Sequence, residues 1–122
     1  MNIEALSIPG LQLLHLFHSA DDRGDFVKTY HAADFQKMNL GFEIKESYYS
    51  VSHKNVIRGM HFQLPPSAHD KLVFCSQGAI LDVILDLRKS SPTYLQFVSV
   101  ELHATKPQAL FIPAGCAHGF KS

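Results

Sequence analysis

Arg58, His61, His69 and Lys71 fall within fourteen residues, RGMHFQLPPSAHDK (58–71), and His118 follows in IPAGCAHGF near the end of the chain. Histidine and lysine are the side chains most readily tuned to move protons near neutral pH. The chemistry in prospect is proton transfer, provided the fold brings these groups to one site.

Each residue also has a quieter reading. A histidine on a strand is usually only a hydrogen-bonded residue, and an edge lysine protects a sheet from mispairing. Arg23, beside Asp21 and Asp22, could form a surface ion pair of little worth. Arg88, in DLRKSSPTY, reads as structural, pairing Asp82 or Asp86. His69 lies in a proline-rich loop, where a surface position is expected.

The elements that must position these groups are short and alternating. The stretches 42–52, 71–77, 79–87, 94–102 and 108–113 are rich in Val, Ile, Leu, Phe or Tyr and are bounded by turn residues. The stretch 11–17 reads as a further strand, and 32–40 as one short helix with His31 or Asp34 near its start. Strands at roughly ten-residue spacing predict an all-β fold, an antiparallel jelly-roll β-barrel. The segment at AHGF should begin a last strand.

Length and composition set the frame. The chain has 122 residues, 46% hydrophobic and 18% charged, which suits one globular domain with a real core. Eleven basic residues balance eleven acidic ones. No basic excess points to nucleic acid or an anionic membrane, so an anionic ligand would be held by a few placed cations. Cys75 and Cys116 lack the CxxC spacing and read as small buried residues. With no membrane-length apolar run and no basic segment leading an apolar one, a cytoplasmic location is expected. Neither the dinucleotide-binding nor the P-loop glycine pattern occurs.

Several motifs, in order, carry a family resemblance: DDRGDFVKTY (21–30), RGMHFQ (58–63), Lys71, DVILDLRKSSPTY (82–94) and IPAGCAHGF (112–120). Together they resemble the dTDP-4-dehydrorhamnose 3,5-epimerase family of cupin-fold sugar-nucleotide enzymes. The resemblance implies a single cupin domain over 1–122 and a homodimer that exchanges N-terminal strands. It also implies a dTDP-linked 4-keto-6-deoxy sugar as substrate and no cofactor.

The C4 carbonyl of such a sugar acidifies the hydrogens on C3 and C5. Epimerisation then needs a base, a cation or donor for the enolate oxygen, and an acid. By this resemblance His61 is the catalytic base and Lys71 holds the oxyanion. Arg58 clamps the diphosphate. Arg23 serves the nucleotide end from the partner subunit, and Phe26 stacks near the base. Gln63 and His118 complete the substrate-binding set, His118 contacting sugar or phosphate.

Although PAGCAH fits the second metal-binding motif of cupins, the first reads His61-Phe62-Gln63. Two imidazoles fall short of the usual three protein ligands, so no metal is expected. Two features depart from the family. Glu46 and Tyr48 stand where a glutamine and an asparagine are common. The chain also ends at Ser122, ahead of the part that holds the family's catalytic tyrosine and the aspartate orienting the base, so it is expected to be C-terminally incomplete relative to the family. Two other functions fit the same motifs. One is a nucleotide-sugar 3,4-ketoisomerase with histidine as proton shuttle, the other a non-catalytic sugar-nucleotide-binding cupin.

Overall fold

The computed structural model describes residues 1–65 and 68–122, leaving Pro66 and Ser67 of the opening motif outside the described residues. In chain order the N-terminal elements are β1 (Asn2–Ala5), β2 (Gln12–His15), β3 (Phe17–Asp21), β4 (Gly24–Lys28) and the helix α1 (Ala32–Lys37). Six strands follow: β5 (Ile57–His61), β6 (Lys71–Val73), β7 (Ala79–Asp86), β8 (Phe97–His103), β9 (Gln108–Ile112) and β10 (Cys116–Lys121).

The later strands nest. β7 pairs with β8, β6 with β9 and β5 with β10, all antiparallel. Successive pairs fall in different sheets, as in a long hairpin rolled over on itself, which is the jelly-roll connection. The sheets have the orders β1-β2-β9-β6 and β5-β10-β7-β8, and β3-β4 is a separate hairpin. The expected all-β cupin-type architecture is present, but as a two-sheet sandwich rather than a closed barrel, because no ladder among the described residues joins the edges of the two sheets.

Between the sheets lies a core of Ile8, Leu11, Ile84, Leu102, Leu110, Ile112 and Cys116. β9 is buried on both faces. Leu110 and Ile112 enter that core, while Ala109 and Phe111 face a second cluster with Leu14, Leu16, Phe35 and Leu40. This explains its nearly unbroken apolar run.

The helix covers the outer cluster with Phe35 and is shorter than its pattern predicts. Asn39, at φ 57°, takes the left-handed conformation that ends helices. Its N–H bonds to Gln36 O at 3.1 Å, and that of Leu40 to Phe35 O at 2.9 Å.

Other boundaries move for equally local reasons. The predicted strand 42–52 does not form; the segment is irregular, with Tyr48, Tyr49 and Val51 exposed. The predicted strand 11–17 breaks at Leu16, whose N–H turns to Pro107 O at 2.8 Å, and β3 then pairs with β4. The predicted strand 94–102 starts only at Phe97, because the preceding residues wrap around Asp86: the N–H of Leu95 bonds to Asp86 O at 2.8 Å. Of 71–77 only the first three residues form a strand.

Candidate active site

Two motifs meet where β5 lies against β10. Gly59 has φ 137°, and a Cβ there would collide with Gly119 Cα. A Cβ on Gly119 would sit 2.8 Å from Arg58 O and 2.9 Å from Gly59 Cα. The glycines of RG (58–59) and HG (118–119) therefore require one another. The register shifts between His118 and Phe120, and on one side of the shift His118 stands opposite His61. Directly paired residues project to the same face, with Cβ atoms about 5 Å apart.

That face looks inward. His118 is also paired with Ile84, a core residue, and Cys116 with Asp86. On the opposing sheet Lys71 is paired with Ile112, also a core residue, and Val73 with Leu110. Lys71 thus issues from the inner face of one sheet, and His61 and His118 from that of the other, with His61, on the wholly exposed edge strand β5, still open to solvent. Asp70 anchors the approach to Lys71 by accepting the backbone N–H of Ala114 at 2.8 Å, which ties HDK to the PAG turn.

Alternation along β7 puts Ile80, Asp82, Ile84 and Asp86 on this inner face, and both aspartates are fully buried. Asp82 accepts from His118: its carboxylate oxygens lie 3.2 and 3.4 Å from Nδ1. From the sequence Asp82 is expected only as a possible partner for Arg88. The signal was present in ILDVILDL, where two carboxylates four residues apart must share the face of the isoleucines.

Arg88 pairs with Asp86 instead. Its Nε donates to Asp86 at 2.9 Å and its backbone N–H at 3.0 Å, while Nη2 reaches Pro9 O at 2.7 Å. The hydroxyls of Ser91 and Thr93 donate to the same carboxylate at 2.5 and 2.6 Å. Burial alone would raise the Asp86 carboxyl, but the Arg88 guanidinium and the two hydroxyls hold it well below the usual carboxylate range. The Cys116 thiol, nearby and buried, is pushed up to about 11, chiefly by its burial. Such a thiol is inert near neutrality. Cys75 is also free but only partly buried.

The remaining site candidates lie apart from this inner group. Arg58 is exposed and donates through Nε to Ser52 Oγ at 2.8 Å and through Nη2 to Val51 O at 3.3 Å. Gln63 is exposed just beyond β5. Arg23 and Phe26 stand on the β3-β4 hairpin, every strand residue of which is exposed and which, among the described residues, pairs with neither large sheet. Arg23 Nη2 bonds to Asp21 at 2.6 Å, the surface ion pair foreseen from DDRG. Phe26 packs edge-on to Phe17. His69 is exposed. Among the described residues no three His, Cys, Asp or Glu side chains are grouped to hold a metal ion, and no helix is long and apolar enough to cross a membrane.

Residues 5–122 match the family model described as dTDP-4-dehydrorhamnose 3,5-epimerase. The enzyme of that name from Shigella flexneri is 39% identical over 121 residues, covering 98% of this chain and 67% of its own length. The crystal structure of dTDP-4-dehydrorhamnose 3,5-epimerase from Sulfolobus tokodaii superposes with a TM-score of 0.92 at 39% identity, covering 99% of this chain and 68% of that one. A 3,5-epimerase from Legionella pneumophila, solved in complex with dTDP-4-keto-L-rhamnose, gives a TM-score of 0.86 at 34% identity, with 98% of this chain and 64% of that one covered. The chain thus spans about two thirds of the length of these relatives.

Proposed function

The chain belongs to the dTDP-4-dehydrorhamnose 3,5-epimerase family, and from that premise we propose that it epimerises a dTDP-linked 4-keto-6-deoxy sugar at C3, C5 or both. The observation that carries the proposal is the placement of His61 and Lys71 on the facing inner sides of the two sheets. A sugar ring between them would have a base on one side and a cation on the other.

In this reading His61 removes the proton next to the carbonyl, and the electron pair moves to the carbonyl oxygen. Lys71 stabilises the resulting enolate through its ammonium. Arg58 takes the diphosphate, for which its forked donors are suited. Gln63 and His118 contact the sugar or phosphate end. No cofactor is required, since the C4 carbonyl already acidifies the neighbouring carbons. The protein acts as a single cupin domain in the cytoplasm.

Arg23 and Phe26 join the site from a second copy. Support comes from the β3-β4 hairpin, an exposed ribbon with Phe17, Phe26 and Val27 in solvent that pairs with no other strand among the described residues. Isolated two-stranded hairpins are marginal in water, so a partner sheet would stabilise it. A homodimer follows.

A second reading, 3,4-keto isomerisation, draws support from the two imidazoles that share one sheet face, since moving the keto group shuttles a proton along one face of the sugar. Product analysis decides. With dTDP-4-keto-6-deoxyglucose as substrate, inversion at C3 or C5 with the 4-keto group retained is expected. A 3-keto product would transfer the assignment to the isomerase, and unchanged substrate would contradict both.

A further inference from the structure

Of the two imidazoles on the inner face, the one backed by a carboxylate of the described chain is His118. Asp82 is completely buried, and His118 is 9% exposed. Nδ1 faces both Asp82 oxygens, at 3.2 and 3.4 Å. The other ring nitrogen, Nε2, points away from Asp82 and has no hydrogen-bond partner among the described residues. A buried carboxylate accepts hydrogen bonds and offers none, so the nitrogen it faces carries the proton. That leaves Nε2 as the working end of the ring, beside His61 on the neighbouring strand.

We propose that Asp82 and His118 form a buried dyad in which Asp82, as a positioning residue, fixes the Nδ1–H form of His118, making His118 a second proton-transfer group rather than a passive contact to sugar or phosphate. The proposal rests on the epimerase reading and adds an acid to it. His61 takes the proton from carbon, and the C–H electron pair becomes the enolate. Protonated His118 passes its Nε2 proton to the enolate oxygen, next to the Lys71 ammonium, and returns to the neutral Nδ1–H form. Asp82 stays ionised throughout. A solvent water on the opposite face then reprotonates carbon, the oxygen returns its proton to Nε2, and His61 releases the abstracted proton to solvent, so every proton is accounted for.

The arrangement also discriminates between ligand groups. A neutral His118 held in this form presents an acceptor at Nε2, which suits a hydroxyl and not a phosphate oxygen. Its protonated form donates, and the adjacent carboxylate stabilises the positive charge at that moment.

Two measurements test the dyad. The first needs no turnover: long-range proton–nitrogen NMR of the neutral His118 ring in the intact chain and in Asp82→Asn. Protonation at Nδ1 in the wild type, shifting to Nε2 in the variant, is expected; an Nε2–H ring in the wild type would overturn the proposal. The second compares solvent-deuterium exchange at saturating dTDP-4-keto-6-deoxyglucose with the affinity for dTDP. Asp82→Asn and His118→Gln should each slow exchange by about 100-fold or more while dTDP binds within about twofold of wild type. Weakened dTDP binding with an unchanged saturated rate would make His118 a phosphate contact and reject the proposal. If the wild type itself exchanges no deuterium, the epimerase reading fails and takes the proton-transfer role with it. The ring-nitrogen spectrum would then judge the Asp82–His118 pairing separately.

Discussion

At Asp86 a buried carboxylate gathers a guanidinium, two hydroxyls and a backbone N–H, and it binds the loop after β7 to Pro9 through Arg88. Its folded state ionises more readily than its unfolded state, so the stabilisation is complete above the ordinary carboxylate range near pH 4 and is lost as pH falls through the lower folded value. Asp86→Asn should cost about 2 kcal/mol at pH 7, less than for a fully buried pair because Arg88 keeps some exposure. The deficit should shrink towards pH 3, as denaturant unfolding at the two pH values would show. At Lys71 the expectation is catalytic: Lys71→Met should lower the saturated deuterium-exchange rate by about 100-fold with dTDP affinity nearly unchanged. Sequence pattern singles out His61, Lys71 and His118 as candidates, because their types suit proton chemistry. It offers Asp82 only as one of two partners for Arg88, because an aspartate in an alternating strand declares its burial only when the inward face of that strand is counted out.

At the scale of elements, the pairing of β5 with β10 sets the geometry of the site, and two glycines permit it. Gly119→Ala would press a methyl group onto Arg58 O and Gly59 Cα, both backbone atoms with little room to yield. A loss of about 2 kcal/mol or more is expected in urea unfolding. Amide exchange should accelerate first across Ile57–His61, the edge strand. The β7 and β8 strands could be read from alternation because their periodicity meets a real core on one face, and β9 from an apolar run that meets a core on both. The stretch 42–52 has similar alternation but no ladder, since a pleated pattern records a preference and not the neighbour that satisfies it. The β3-β4 hairpin escaped because none of its strand residues is buried, leaving no apolar alternation to detect.

For the molecule as a whole, the sandwich core accounts for the fold, and the exposed hairpin is the element that the proposed second copy would cover. Sedimentation should give a dimer that is weakened by Phe26→Ser, with near-native thermal stability of the sandwich itself; a monomer at all concentrations would remove Arg23 and Phe26 from the site. The central claim is that His61 enolises a 4-keto sugar held between the sheets. It is tested most directly by proton NMR of the chain with dTDP-4-keto-6-deoxyglucose in deuterated water, beside His61→Ala. Loss of the C3 or C5 proton signal with the wild type, and its persistence with the variant, is the predicted result. Full retention of both signals by a folded wild-type chain, or equal loss with His61→Ala, would contradict it.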